Sequence, residues 1–160
     1  MKLWILRHAR AENHSHSGRD RDRVLAEPGR RACLHLNHWL SECTLPLPAR
    51  VLVSPAARTM ETAQLTLAGL ELPDPQSREE LWLAGTTELQ ELITRSDDVD
   101  EAGLMLIGHN PGLEELLRRL GADLPVPGLK PGTLVILELD WPLQAGRAKT
   151  LYVVEPNEST

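Results

Sequence analysis

The chain predicts an α/β fold: a three-layer sandwich with a mainly parallel sheet and helices on both faces. Three observations carry this. Short apolar runs alternate with segments of helical spacing, in the order β-α-β-α-β-α-β-α-β-β. The run Gly103–Gly108 is apolar throughout, as a central parallel strand buried on both faces must be. Two such runs, Lys2–Leu6 and Gly103–Gly108, lead straight into histidines, His8 and His109.

The first strand is Lys2–Leu6. Residues 11–23 form a polar loop whose charge density argues against packing. Pro28–Cys43 has helical spacing, with Ala32, Cys33, Leu36, Trp39, Leu40 and Cys43 on one stripe, and Pro46 and Pro48 end it. Arg50–Ser54 is a short strand. Ser54-Pro55 reads as N-cap and first residue of a helix to about Ala68, closed by Gly69. Arg78–Leu83 is a weak edge strand, Thr87–Arg95 a short helix, and residues 96–101 an acidic surface loop.

After the central strand, Asn110-Pro111 starts a helix by the same cap logic, and Gly121 stops it. Asp123–Pro131 is rich in Pro and Gly and reads as an ordered surface loop. Thr133–Leu139 and Thr150–Val154 are late strands, antiparallel at the sheet edge. There is no internal repeat. The 160 residues read as a single domain, 1–160, large enough for a true core.

Composition narrows the partners. The net charge of -6 leaves no broad basic footprint for nucleic acid. With no Phe and one Tyr there is no stacking platform for single strands either. Of 17 basic residues, all but Lys2, Lys130 and Lys149 are Arg, the side chain whose fork matches phosphate oxygens. Cys33 and Cys43 share one helix about 15 Å apart, too far for a disulfide. They read as small core residues of a protein in a reducing cytosol, and the expected location is cytoplasmic. The N-terminal apolar run, Leu3–Leu6, is too short for a signal-peptide core, and nothing approaches a membrane span of roughly 20 residues.

Ligands of open α/β sheets sit outside the carboxyl ends of the strands. Arg7, His8 and His109 are delivered to that edge, and Arg58 lies one turn into the helix after Ser54. Two helix N-termini point at the same edge and favour an anion there. Arg7 and Arg58 would grip phosphate oxygens. A neutral His8 could attack phosphorus and a protonated His109 could stabilise charge on the equatorial oxygens. No metal or cofactor is required. Each residue alone has a plainer reading: His8 as a hydrogen-bonding strand end, His109 as part of the Asn110 cap, Arg58 as a solvated helix charge. Their conjunction at one edge favours the chemical reading.

The other candidates are weaker. His14 and His16 lack Cys or carboxylates at a familiar zinc spacing and read as a mobile polar loop. His35 and His38 read as surface or packing residues on the second segment. Trp4, Trp39 and Trp82 read as core. The run Arg19–Arg23 pairs with itself or contacts substrate.

Leu6-Arg7-His8-Ala9 resembles the Arg-His-Gly/Ala signature of the histidine phosphatase superfamily. Val53-Ser54-Pro55-Ala56-Ala57-Arg58-Thr59-Met60-Glu61-Thr62-Ala63 resembles its second Arg motif, and Ile107-Gly108-His109-Asn110-Pro111 its second His motif. The three stand in the family's order and span nearly the whole chain. The small size and the Arg-His-Ala variant resemble the SixA-type phosphohistidine phosphatases. The resemblance implies a phosphoglycerate-mutase-like fold, His8 as nucleophile, and a phosphate pocket of Arg7, Arg58 and His109. Residues 20–29 resemble a further SixA-type stretch, departing at Val24 and at Ala26, where a helix-capping Thr is missing. By that match Arg23 approaches the phosphate.

Larger family members carry a Glu acid in an inserted segment. Here residues 78–84 leave little room for one, and Asp20, Glu79 and Glu80 are the candidates. A missing acid suits a phosphorylated imidazole, whose ring nitrogen takes a proton from solvent, better than an alkyl ester. The expected function is metal-independent removal of phosphate from phosphohistidine on a protein, through a phosphohistidine intermediate. The alternatives are a small phosphoester or phosphoanhydride phosphatase of the same fold, and a non-catalytic phosphoprotein-binding module. The partners are then a phosphoprotein or a small phosphorylated substrate, with phosphate ion in the pocket. If His8 must be neutral and His109 charged, activity peaks between their two titrations.

Overall fold

In the computed structural model, which describes residues 1–160, the strands are β1 (Lys2–Arg7), β2 (Arg50–Val53), β3 (Gln76–Ser77), β4 (Leu104–Gly108), β5 (Leu134–Glu138) and β6 (Lys149–Val154). The helices are α1 (Glu27–Glu42), α2 (Ala57–Leu67), α3 (Thr86–Thr94) and α4 (Gly112–Leu120). One six-stranded sheet runs in the order β3-β2-β4-β1-β5-β6. Its first four strands are mutually parallel, β5 runs antiparallel to β1, and β6 runs antiparallel to β5. This is the mainly parallel α/β architecture, with helices on both faces, that the sequence predicts.

The period-2 alternation of the central strands sorts the core into two layers. Leu3 and Ile5 of β1, with Leu104 and Leu106 of β4, pack against Leu89, Leu92 and Ile93 of α3 and Leu113, Leu116 and Leu117 of α4. Trp4 and Leu6, with Met105 and Ile107, pack against Leu36 and Leu40 of α1 and Ala63 and Leu67 of α2. Both faces of β1 and β4 are therefore buried, and their registered ends bring Arg7 beside Gly108. His8 and His109 come next as neighbours at the sheet edge. No helix is long and apolar enough to cross a membrane.

Three boundaries differ from the sequence expectation. The segment 78–83 is not a strand: the edge strand is Gln76–Ser77, and Glu79–Leu81 forms a 3₁₀ turn. That turn buries Leu81 under the sheet instead of adding a ladder. Helix α2 begins at Ala57, because its cap position is Ala56, in extended conformation, and no side chain caps it. Thr59 Oγ1 donates to the carbonyls of Ser54 and Ala56 at 2.7 and 2.9 Å, securing that extended entrance. Helix α4 likewise begins at Gly112. Asn110 instead donates its amide to Leu129 O at 3.0 Å, while its Oδ1 accepts from Glu114 N–H at 3.3 Å.

Helix α1 has no side-chain cap at Ala26. Glu61 of α2 compensates, accepting from Leu25 N–H at 2.8 Å and Arg30 Nε at 2.7 Å. Loop 11–23 is ordered by its own charges rather than left unpacked. Arg19 pairs with Asp22 at 3.0 Å, Arg23 with Asp20 at 2.9 Å, and Ser17 Oγ donates to Asp22 at 2.6 Å.

Candidate active site

Strand β1 ends in Arg7, and the next residue, His8, is 8 % exposed. His8 Nδ1 donates to Ala9 O at 2.8 Å. This fixes the tautomer and leaves the lone pair on Nε2. Arg58, in the first turn of α2 and 4 % exposed, aims Nε at that nitrogen from 3.4 Å. The next peptide is held too: Ala9 N–H donates to Thr62 Oγ1 at 3.1 Å, and Thr62 Oγ1 donates to Arg58 O at 2.7 Å. An imidazole with a free, solvent-shielded lone pair beside a guanidinium has the protonation state that nucleophilic attack requires.

Strand β4 delivers His109, 6 % exposed, with its ring centroid 5.4 Å from that of His8. His109 Nε2 and Ser54 Oγ are 2.7 Å apart, while Nδ1 is buried with no partner. Arg7 donates through one terminal nitrogen to Leu129 O at 2.7 Å, and its Nε is also buried and unpartnered. Buried N–H groups without acceptors are uncommon and call for a ligand or water. The N-termini of α2 and α4 lie at the same edge, an arrangement that favours negative charge.

Burial and the neighbouring cations depress both imidazoles. Burial, opposed by the Ala9 hydrogen bond and reinforced by Arg58, Arg7 and Arg23, lowers His8 to about 4. Burial, then His8 and Arg58, lowers His109 to about 3. The expectation of a neutral His8 beside a charged His109 is therefore corrected for the free protein. Both rings are held neutral near pH 7.

Asp20 stands at the mouth. Its backbone carbonyl and one carboxylate oxygen accept from Arg58 at 2.9 and 3.1 Å, and its other oxygen accepts from Arg23 Nε at 2.9 Å.

Comparison with known proteins gives the chain its family. A family model for the histidine phosphatase superfamily (branch 1) matches residues 3–82. The chain belongs to the histidine phosphatase superfamily. A protein assigned as phosphohistidine phosphatase SixA from Agrobacterium tumefaciens is similar in structure, with a TM-score of 0.80 and 25% identity over 97% of this chain and 98% of that one. Another assigned as SixA, from Nakamurella multipartitia, gives a TM-score of 0.78 and 27% identity over 97% and 95%. The protein histidine phosphatase SixA complexed with tungstate gives 0.74 and 24% over 98% and 97%. No curated protein sequence matches the chain. The protein is a phosphatase of SixA type in its fold.

The other sequence candidates of this histidine phosphatase fall into place. Arg23 does not reach the His8–His109 edge by hydrogen bond; it is held by Asp20 and donates to Glu12 O at 2.8 Å. Glu80 is turned outward, accepting from Arg95 at 2.6 Å. Glu79 is bound by both terminal nitrogens of Arg21, one at 2.7 Å. Partial burial pushes the Asp20 carboxyl upward, but its bonds to Arg23 and Arg58 prevail and hold it below the usual range. An ionised Asp20 is a poor proton donor, so none of the three carboxyls is a ready general acid in this state.

Trp82 is not core. Its half-buried indole stands edge-on to His109, centroids 5.2 Å apart at 88°, and the guanidinium carbons of Arg58 and Arg21 each lie 5.5 Å from the ring centre. With Arg21 bound to Glu79, the 3₁₀ turns at Asp20–Asp22 and Glu79–Leu81 face each other across the mouth. Sequence reasoning missed this wall, and a lone Trp after two glutamates carries no motif that would have revealed it. Ser54 was visible but assigned to the wrong task. His14 and His16 line a surface cleft with Glu12 and Asp22, and no group of three potential ligands is placed to hold a metal ion. His35 contacts Ser159 O at 2.9 Å.

Proposed function

We propose that this single domain, residues 1–160, removes phosphate from phosphohistidine on a protein, without a metal, through a phosphohistidine intermediate at His8. The carrying observation is the His8 ring: Nδ1 is tied to Ala9 O and Nε2 is left free beside Arg58. Nε2 attacks phosphorus while the P–N bond of the substrate breaks, and the departing imidazole takes its proton from solvent. Arg7, Arg58 and His109 hold the non-bridging oxygens, whose charge they offset during in-line transfer. Water then attacks the phosphoryl group on His8, giving inorganic phosphate and restoring the neutral ring.

The substrate class is set by the leaving group. An alkoxide needs a proton donor, and Glu79, Glu80 and Asp20 are each engaged by arginines. A phosphorylated imidazole is less demanding. The similarity to the two SixA-assigned structures supports the same class. The free thiols of Cys33 and Cys43 suit a reducing cytosol.

The test is phosphate release in EDTA from a phosphohistidine-bearing carrier protein, beside a panel of alkyl phosphates and phosphoanhydrides. Preference for the carrier, lost in His8→Ala, supports the proposal. Preference for small esters moves the substrate to that class. Binding without release by either protein leaves a phosphoprotein-binding module.

A further inference from the structure

Ser54 lies between β2 and α2 and is 0 % exposed. Its backbone is fully engaged: the N–H donates to Ile107 O at 3.0 Å, and the carbonyl accepts from Thr59 Oγ1 at 2.7 Å. Its hydroxyl has one partner, His109 Nε2 at 2.7 Å. A buried hydroxyl must place its proton on an acceptor. The only acceptor within reach is Nε2, and only if Nε2 carries a lone pair.

We infer that Ser54 is a positioning residue: its hydroxyl donates to His109 Nε2 and so fixes the proton of a neutral His109 on Nδ1, the one ring nitrogen left for the phosphoryl group. The inference rests on the phosphate-pocket reading and deepens it. In the opposite tautomer two groups suffer together. The Ser54 hydroxyl proton has no acceptor, and the buried Nδ1 presents a lone pair to an anion. In the assigned tautomer the unpartnered buried Nδ1 is a donor awaiting an oxygen. A metal-bound histidine is oriented the same way, by a partner at its other nitrogen. His109 then donates to phosphate while uncharged, consistent with a ring that burial keeps neutral. His8 shows the complementary state: proton on Nδ1, lone pair on Nε2. One ring is set to attack and the other to donate.

The test is ¹⁵N NMR of the histidine rings in the free full-length protein at pH 7, with His109 assigned by His109→Gln. The wild type is expected to show His109 protonated at Nδ1. Ser54→Ala is expected to show a mixture of tautomers, with its thermal midpoint and near-ultraviolet circular dichroism reporting whether the fold persists. Its affinity for inorganic phosphate should fall by about 10- to 100-fold, as when an orienting partner is lost. A wild-type spectrum with the proton on Nε2 overturns the inference, and needs no variant. An unchanged tautomer in a folded Ser54→Ala overturns it too, as does unchanged phosphate affinity once the tautomer is lost. Failure of the pocket reading shows separately, as undiminished turnover in His109→Gln.

Discussion

Arg58 Nε lies 3.4 Å from His8 Nε2, a donor facing a nitrogen whose lone pair is free because Nδ1 is bound to Ala9 O. The contact is long for a hydrogen bond, and it requires His8 to be neutral. The same guanidinium is held on its outer side by the backbone and carboxylate of Asp20. One arginine thus favours the neutral form of His8 and, in the proposed reaction, also meets the substrate's charge.

His8→Ala should lower turnover of a phosphohistidine carrier by at least about 1,000-fold, since no other imidazole can replace the attacking lone pair. Arg58→Ala should cost about 100-fold or more. Steady-state kinetics with melting curves for both variants separate chemistry from stability. Loss of less than about tenfold in a folded His8→Ala would remove His8 from the nucleophile's role.

The pH dependence comes from the depressed imidazoles. Between about 4 and 7 the free protein keeps His8 unprotonated, so kcat/KM should show no acid limb from His8 near 6.5. The limb belongs near 4, after correction for ionisation of the substrate phosphoryl group. A substrate-independent limb near the ordinary 6.5 would mean that His8 is not desolvated as the structure has it.

The same groups link stability to pH. Unfolded imidazoles bind protons near their ordinary 6.5, but the folded ones only near 4 and 3. Between these values the unfolded chain holds more protons. Stability is therefore intact above about 6.5 and falls as pH drops, by up to about 1.4 kcal/mol per pH unit for each ring. His8→Gln and His109→Gln should each flatten the fall in melting temperature between pH 6.5 and 4.

Asp20→Asn removes a carboxylate that shares Arg58 with the incoming anion. Inorganic phosphate should then inhibit more strongly, by roughly threefold to tenfold, the range of one partly exposed ion pair. Turnover of a phosphohistidine carrier should fall less than about tenfold, because the leaving imidazole does not depend on this carboxyl. A far larger loss would identify Asp20 as a proton donor after all.

Gly112 opens α4 against the turn that carries Trp82. A Cβ there would collide with the backbone carbonyl of Ala84. Gly112→Ala should destabilise the fold by roughly 1–3 kcal/mol, as overpacking does, with denaturant titration as the check. The displaced Ala84 segment should also weaken phosphate binding, since Trp82 stands on His109 and Arg58.

The sheet, and the gathering of Arg7, His8, Arg58 and His109 at one edge of it, were legible because strand burial and strand ends are local properties. Leu104–Gly108 could only be a central strand, and the residue after its end, His109, must lie at the sheet edge. The helix starts were legible less well. Ser54-Pro55 and Asn110-Pro111 have the composition of caps, yet both polar side chains are drawn to tertiary partners, His109 and Leu129, and α2 begins two residues, α4 one residue, later than that composition implies. Trp82 and the Arg21–Glu79 pair depend on two distant turns meeting, which no local pattern encodes.

The central claim is that phosphate passes through His8. The most direct measurement is mass spectrometry of protein quenched in alkali, where phosphohistidine survives, within the first turnover on a phosphohistidine carrier. Wild type should carry one phosphoryl group on the peptide containing His8, and His8→Ala none. Steady release of phosphate with no phosphoryl group on His8 at any time, or with one on His109 instead, would contradict it.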